Sequence, residues 1–262
     1  MRKILLSLAL MIAVHLPGFT CAQTAVSTEI APTGKLRIGM NASTTTLVTR
    51  TADGNVRGIS VDLGKFIAEK LGMAYEPVVY ASAATWTESF GKGEWDIGVT
   101  GRNATVGKLL DFGPDVILIE SVFVAATGLE FTHASQVDRT GVKIGVARNA
   151  SADVFLSRTL KSAEIVRVGG DTSSAIDALR SGNVDMYATL TENASIVAER
   201  LPGAKIIPGV FNTVGFAVVM PKGRSSIAQT KLTQIVNDAK AAGIVQEAIT
   251  KSGLKGVRVA PD

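Results

Sequence analysis

The sequence predicts an α/β protein made of two doubly wound α/β lobes joined by two crossover strands. Three observations predict it. Strand-like and helix-like segments alternate from Lys35 to Val99, and again from Lys143 to Leu201. The two runs share an echo: Phe90-Gly-Lys-Gly93-Glu-Trp95-Asp96 resembles Leu179-Arg-Ser-Gly182-Asn-Val184-Asp185. Two long apolar extended segments, Val116 to Ala126 and Val214 to Met220, bracket the second run. Alternating strand–helix units argue for parallel strands with helices on both faces. A run bracketed in this way reads as one lobe inserted into the other, linked by two strands that can flex as a hinge. The alternative reading of the echo is a glycine stop of the kind that follows many helices.

The chain begins with an address segment. Met1-Arg2-Lys3 is positive, Ile4 to Leu16 is almost wholly apolar, and Thr20-Cys21-Ala22 places small residues before a cut at Gln23. This pattern is a secretory signal peptide over residues 1–22. The apolar run is shorter than the roughly 20 residues a spanning helix needs. Cys21 as a lipoprotein cysteine is the weaker alternative, because Gly18-Phe19-Thr20 lacks the aliphatic and small residues expected before it. Cleavage removes two bases and no acid from a chain of formal charge +4, and it removes the one Cys. The mature chain is then expected to be soluble and periplasmic, with no thiol chemistry.

The elements follow in order. Residues 23–34 read as a polar leader, and Leu36 to Met40 as a strand. Ser60 is placed as an N-cap with Asp62 in the first turn. Leu63, Phe66, Ile67, Lys70 and Leu71 then keep helical spacing up to Gly72. Glu76 to Tyr80 is a strand, Thr85-Trp86-Thr87-Glu88 fits a capping box opening a short helix, and Trp95 to Val99 is a strand. In the second run Lys143 to Ala147, Glu164 to Val168 and Val184 to Tyr187 are strands. Helices are expected from Ser151 (as cap) to Leu160, from Thr172 to Arg180 and from Thr191 to Leu201. The chain ends in two helices, Ser226 to Ala242 and Ile244 to Ser252. Residues 35–125 and 217–262 form the first lobe on this reading, and residues 126–216 the second.

Composition excludes several functions. At 46% hydrophobic residues the chain buries a full core and is not disordered. Aromatics are 5% and no basic block occurs, against a nucleic-acid platform. One His in the mature chain, His133, and no Cys leave poor material for a metal site or for general acid–base chemistry.

Several motifs carry a resemblance. Gly34-Lys-Leu-Arg-Ile-Gly39-Met-Asn41, Gly58-Ile-Ser-Val-Asp62-Leu63, Gly93-Glu-Trp-Asp96-Ile, Asp111-Phe112-Gly-Pro, Lys143-Ile-Gly145-Val and Ala178-Leu-Arg-Ser-Gly182-Asn-Val-Asp185 stand in the order and spacing of one family. Together they resemble the periplasmic solute-binding proteins of the amino-acid ABC-importer type, over nearly all of Lys35 to Lys255. The resemblance implies a type II periplasmic binding fold, closure of two lobes on a small solute, and delivery to an ABC permease by a monomer without cofactor or metal.

The sequence departs from that family at the ligand clamp. The carboxylate-gripping Arg position holds Val106, and the ammonium-pairing Asp position holds Leu190. The first-loop aromatics are Thr44 and Leu47, a third aromatic is Ala83, and the Gly-Thr-Thr turn is Asn149-Ala150-Ser151. A small polar or anionic solute is therefore expected in place of a simple α-amino acid. Its candidate ligands are Asn41, Thr44, Thr46 and Thr100 in one lobe with Arg102 as the bidentate fork, and Arg148, Ser151 and Glu192 in the other. Each has a plainer reading. Arg102 and Arg148 also fit solvated loop residues, Glu192 a first-turn helix acid, and the Ser43 to Thr46 run a polar loop. Trp86 lines the cleft or, at helical spacing with Phe90, the core. Two other functions stay open: a dehydratase-like enzyme on the same fold, and a partner-binding module with an occluded cleft.

Overall fold

The computed structural model describes residues 25–42 and 44–261. The expected signal peptide and Ser43 lie outside the described residues. The first lobe is built on three parallel strands. β1 (Lys35–Asn41) lies between β4 (Ala74–Tyr80) and β5 (Ile97–Gly101), and a small ribbon of β2 (Thr49–Arg50) and β3 (Val56–Arg57) stands apart. The second lobe repeats the arrangement, with β7 (Lys143–Ala147) parallel to β8 (Glu164–Val168) on one side and β9 (Met186–Leu190) on the other.

Two long antiparallel strands join the halves into one sheet. β6 (Leu110–Ala125) pairs with β11 (Asn212–Pro221) through the first lobe and then, from Ser121 to Ala125, with β9 of the second. β11 in turn pairs with β5. The order is β4-β1-β5-β11-β6-β9-β7-β8, with a short β10 (Lys205–Ile206) and a C-terminal β12 (Val257–Val259) both added to β6. Val116, Ile117, Ile119, Phe123 and Val124 of β6 are all buried. A strand covered on both faces reads as this kind of continuous apolar run.

The echo in the sequence is a repeated local geometry. Gly93 (φ 70°) and Gly182 (φ 71°) both take the left-handed conformation before a strand. Asp96 N–H donates to the Arg37 carbonyl and its carboxylate accepts Arg37 N–H, both at 2.9 Å. Asp185 does the same with Lys143, at 2.9 and 2.7 Å. Each Asp thereby fixes the register of the last strand of its lobe on the first.

Helices cover both faces of both halves. Residues 25–30 (α1), α2 (Ile59–Leu71), α8 (Ser226–Ala241) and α9 (Ile244–Ser252) enclose a core around Ile38, Leu63, Ile67 and Ile235. On the other face α3 (Ala83–Glu88) and α4 (Ala104–Leu109) cover Trp86, Trp95 and Leu110. In the second lobe α5 (Ser151–Thr159) covers one face, around Ile144 and Leu156. The other face, around Ile176 and Val197, lies under α6 (Thr172–Arg180) and α7 (Thr191–Arg200). This is the two-lobed, doubly wound architecture the alternation predicts.

Some local expectations are corrected. Gly58, not Ser60, is the N-cap of α2, at φ 127°, and Ser60 is buried inside the first turn. A Cβ at Gly58 would lie 2.6 Å from the Leu47 carbonyl. The helix start is therefore docked on the preceding loop rather than capped by its own hydroxyl. The capping box of α3 is Ser82 with Thr85, three residues before the expected one, so the expected cap Thr85 lies inside the helix. Ser151 is the first residue of α5 after a non-bonding cap at Ala150. The expected polar leader contains helix α1, with Ile30 and Ala31 buried in the first core. Trp86 belongs to the core, stacked 5.9 Å from Trp95 and edge-on to Phe90.

Candidate functional site

Parallel strands deliver their C-terminal ends to one edge, and here the ends of β1 and β5 meet those of β7 and β9 across the crossover strands. Ligands of open α/β sheets bind at such ends. At the end of β1, Asn41 Nδ2 donates to Thr44 Oγ1 at 3.1 Å, and Thr44 N–H to the Asn41 carbonyl at 3.1 Å. These two expected ligands form one polar unit. Thr46 does not join them: it is 2% exposed, beside the buried Leu47 and Val48. The apolar residues that follow draw it under the loop. Thr100 is half-buried at the end of β5, paired to Ala217 of β11.

Arg102 is committed elsewhere than expected. Its Nε donates to Asp115 Oδ1 and its Nη2 to the Gly113 carbonyl, both at 2.6 Å. The guanidinium sits 4.9 Å from the centroid of the Phe112 ring. It faces the crossover strand and is neutralised there. Val106, at the position of the resemblance's Arg, is buried in the tryptophan cluster, so that position supplies no clamp.

In the second lobe the turn before α5 is fixed from below. Asn149 is the one non-glycine at positive φ among the described residues, at 62°. Asn tolerates this conformation better than most residues. Its N–H donates to Asp153 Oδ2 at 2.9 Å, so the first turn of α5 holds the Arg148–Asn149–Ala150 turn from below. Asp153 is itself buried, bridged to Arg167 at 2.9 Å and bonded by Ser157 at 3.1 Å. Burial alone would raise its pKa; Arg167, Asn149 N–H and Ser157 together outweigh it and hold the carboxyl below its ordinary value. The start of α5 offers amide donors and the positive end of a helix dipole, with Ser151 in its first turn and Arg148 exposed beside it. That combination stabilises a small anion.

Glu192 lies in the first turn of α7 and makes a contact between the lobes: Thr45 Oγ1 donates to its carboxylate. Thr191 Oγ1 donates to the Glu120 carbonyl of β6 at 2.9 Å, anchoring the same helix start on the crossover strand. The acids near the cleft thus have partners: Asp115 has Arg102, Asp153 has Arg167, and Glu192 has Thr45. Sequence reasoning named Asn41, Thr44, Thr46, Thr100, Arg102, Arg148, Ser151 and Glu192, and included Thr45 in the Ser43 to Thr46 run and Asn149 in the turn before Ser151; it did not foresee Thr45 as the partner of Glu192 or Asp153 as the partner of Asn149. The signal for Asn149 was its place at the first position of a glycine turn. Among the described residues no group of three His, Cys, Asp or Glu is placed to hold a metal ion.

No known family profile matches the chain, and no curated protein does. Solved structures do match. The solute receptor for L-cysteine of Neisseria gonorrhoeae is 18% identical, covers 91% of this chain and 99% of its own, and superposes with a TM-score of 0.67. An amino acid ABC transporter substrate-binding protein, AbpA from Streptococcus pneumoniae, bound to L-arginine, is 19% identical over 85% of this chain and 96% of its own, at 0.64. An ancestral amino acid-binding protein, AncCDT-1, described as a precursor of cyclohexadienyl dehydratase, is 17% identical over 86% and 97%, at 0.65. The chain has the type II periplasmic binding fold.

Proposed function

We propose that the chain is the exported solute-binding subunit of an ABC importer, and that it closes two lobes over a small anionic or polar solute. Residues 35–125 and 217–262 make one lobe and residues 126–216 the other. The signal peptide over residues 1–22 sends it to the periplasm, where it works as a monomer with an inner-membrane permease. The observation that carries this reading is the convergence of four strand ends and the α5 start on one edge, with Thr45 and Glu192 bonded across it. The solved solute receptor for L-cysteine and the amino acid ABC transporter substrate-binding protein bound to L-arginine support it.

The solute's anionic group sits on the amides of the α5 start with Arg148 and Ser151. Asn41, Thr44 and Thr100 meet its polar remainder from the first lobe. The clamp is thus reversed relative to the resembled family: the available cation belongs to the second lobe, because Arg102 is paired with Asp115. Leu190 offers nothing to an ammonium group. The role proposed is binding rather than catalysis; His133 is bonded to Ser135 at the start of a 3-10 turn.

A melting screen against amino acids, carboxylates, opines and polyamines tests the proposal. A true solute raises the melting temperature by mass action, and Arg148→Ala removes that rise for a carboxylate. A simple α-amino acid that binds tightly and ignores Arg148→Ala refutes the reversed clamp. The Thr45–Glu192 contact also favours a second reading, a partner-binding module held shut by its own side chains. A screen in which no solute raises the melting temperature, while a protein partner is retained, selects that reading.

A further inference from the structure

β6 is irregular just below the cleft. Val219 faces Phe112, Ala217 faces Asp115 and Phe216 faces Ile117, so β6 carries extra residues between Phe112 and Ile117. Pro114 lies in this stretch and has no N–H to give to the ladder. A bulge of this kind bends a strand and increases its twist. The irregularity lies in the first lobe, a few residues before β6 takes up β9 at Ser121.

Arg102 spans the irregularity. Its side chain bonds Gly113 on one side of Pro114 and Asp115 on the other, each at 2.6 Å, and lies against the ring of Phe112. Its backbone N–H donates to the Gly215 carbonyl of β11 at 3.0 Å. The Asp115 carboxylate stands over Gly215, where a Cβ would meet Oδ2 at 2.5 Å. One residue at the end of β5 therefore ties both crossover strands at the level of the bend.

We propose that Arg102 is a positioning residue, a staple that fixes the bulge in β6 and so the angle between the lobes. It acts on the cleft through the hinge and not by touching solute. The inference stands whatever the solute is.

The test needs no solute. In a Cys21→Ser background, cysteines placed at the exposed Lys92 and Lys161, one in each lobe, carry spin labels for pulsed distance measurement. Arg102→Gln and Asp115→Asn should each shift and broaden the interlobe distance distribution. The double variant should change it no further, because the two residues act as one pair. Arg102→Lys keeps the charge but not the fork, so it should fall between parent and Arg102→Gln. Asp115→Asn is nearly isosteric and keeps the test alive if an Arg102 variant fails to fold. Distributions identical to the parent in both single variants overturn the staple, as do additive effects in the double.

Discussion

Asp96 and Asp185 hold equivalent places in the two lobes but differ in burial, and that difference sets what each is worth. Asp96 is fully buried and accepts Arg37 N–H, Nε and Nη2 at 2.9, 3.1 and 2.7 Å. The pairing also raises the pKa of Arg37, through its hydrogen bond to Asp96. Asp96→Ala strands a guanidinium and a backbone donor, and should cost about 3 kcal/mol in urea unfolding. Asp185→Ala removes a bond to Lys143 N–H at a more open place and should cost about 1 kcal/mol. Equal losses would show that register, not desolvation, sets the cost. Asp153 carries a pH dependence. Its folded pKa is depressed, so its contribution is complete above the unfolded value of about 4 and disappears as pH falls through the folded one. The stability gap between the parent and Asp153→Asn should therefore be constant at neutral pH and close below about pH 4. A gap that persists in strong acid would mean that Asp153 acts by shape alone.

Among the elements, the start of α5 depends most on one backbone angle. Asn149 at φ 62° closes the turn that opens α5, whose amides the proposed function assigns to the solute. Asn149→Gly keeps this conformation and should leave folding nearly unchanged. Asn149→Val forces a branched side chain into it and should cost about 1–2 kcal/mol, together with any affinity that the α5 amides supply. Equal affinity in the Gly and Val variants, measured by calorimetry, would remove this turn from the site. The same turn shows what a sequence reveals and what it does not. Glu164–Val168 and Thr172–Arg180 match their expected bounds because period-two and period-3.6 patterns report burial along a single segment. β12 escaped notice because its pairing to β6 is decided by a distant partner, not by its own three residues. Ser60 and Thr85 misled because a hydroxyl near a helix start is common, while the true caps depend on what lies against the turn. The candidate site was legible only in its local parts. Asn41 at the end of β1, Arg148 before α5 and Glu192 in the first turn of α7 are placed by strand ends and helix starts, which are local. The pairing of Arg102 with Asp115 depends on a bulge in another strand, and residue types alone do not announce it.

At the scale of the whole molecule, the proposed function makes the balance between separated and closed lobes set how tightly a solute is held. Thr45–Glu192 forms only when the loop after β1 meets the start of α7, so it stabilises the closed arrangement alone. One partly exposed hydrogen bond to a carboxylate is worth about 1 kcal/mol, a factor of roughly five in a two-state balance. Binding that requires closure inherits the same factor, because apparent affinity scales with the population able to hold the solute. Thr45→Val removes the donor and keeps the volume. It should weaken solute binding by up to roughly fivefold, mostly through faster release, since the contact is made after encounter. Glu192→Gln retains an acceptor oxygen and should do less. Solution scattering gives a reading without solute: Thr45→Val should enlarge the radius of gyration if closed molecules dominate in the parent. The arrangement of α7 explains why so small a bond can matter. Thr191 fixes the same helix start on Glu120 of β6, and a Cβ at Gly256 would lie 2.5 Å from Thr191 Oγ1. Glu192 is thus presented from a point braced by the crossover strand and by the chain entering β12, with little freedom to lose on closing. An unchanged release rate in Thr45→Val would show that the lobes are held together by contacts elsewhere along the cleft, and that this bond follows closure without favouring it.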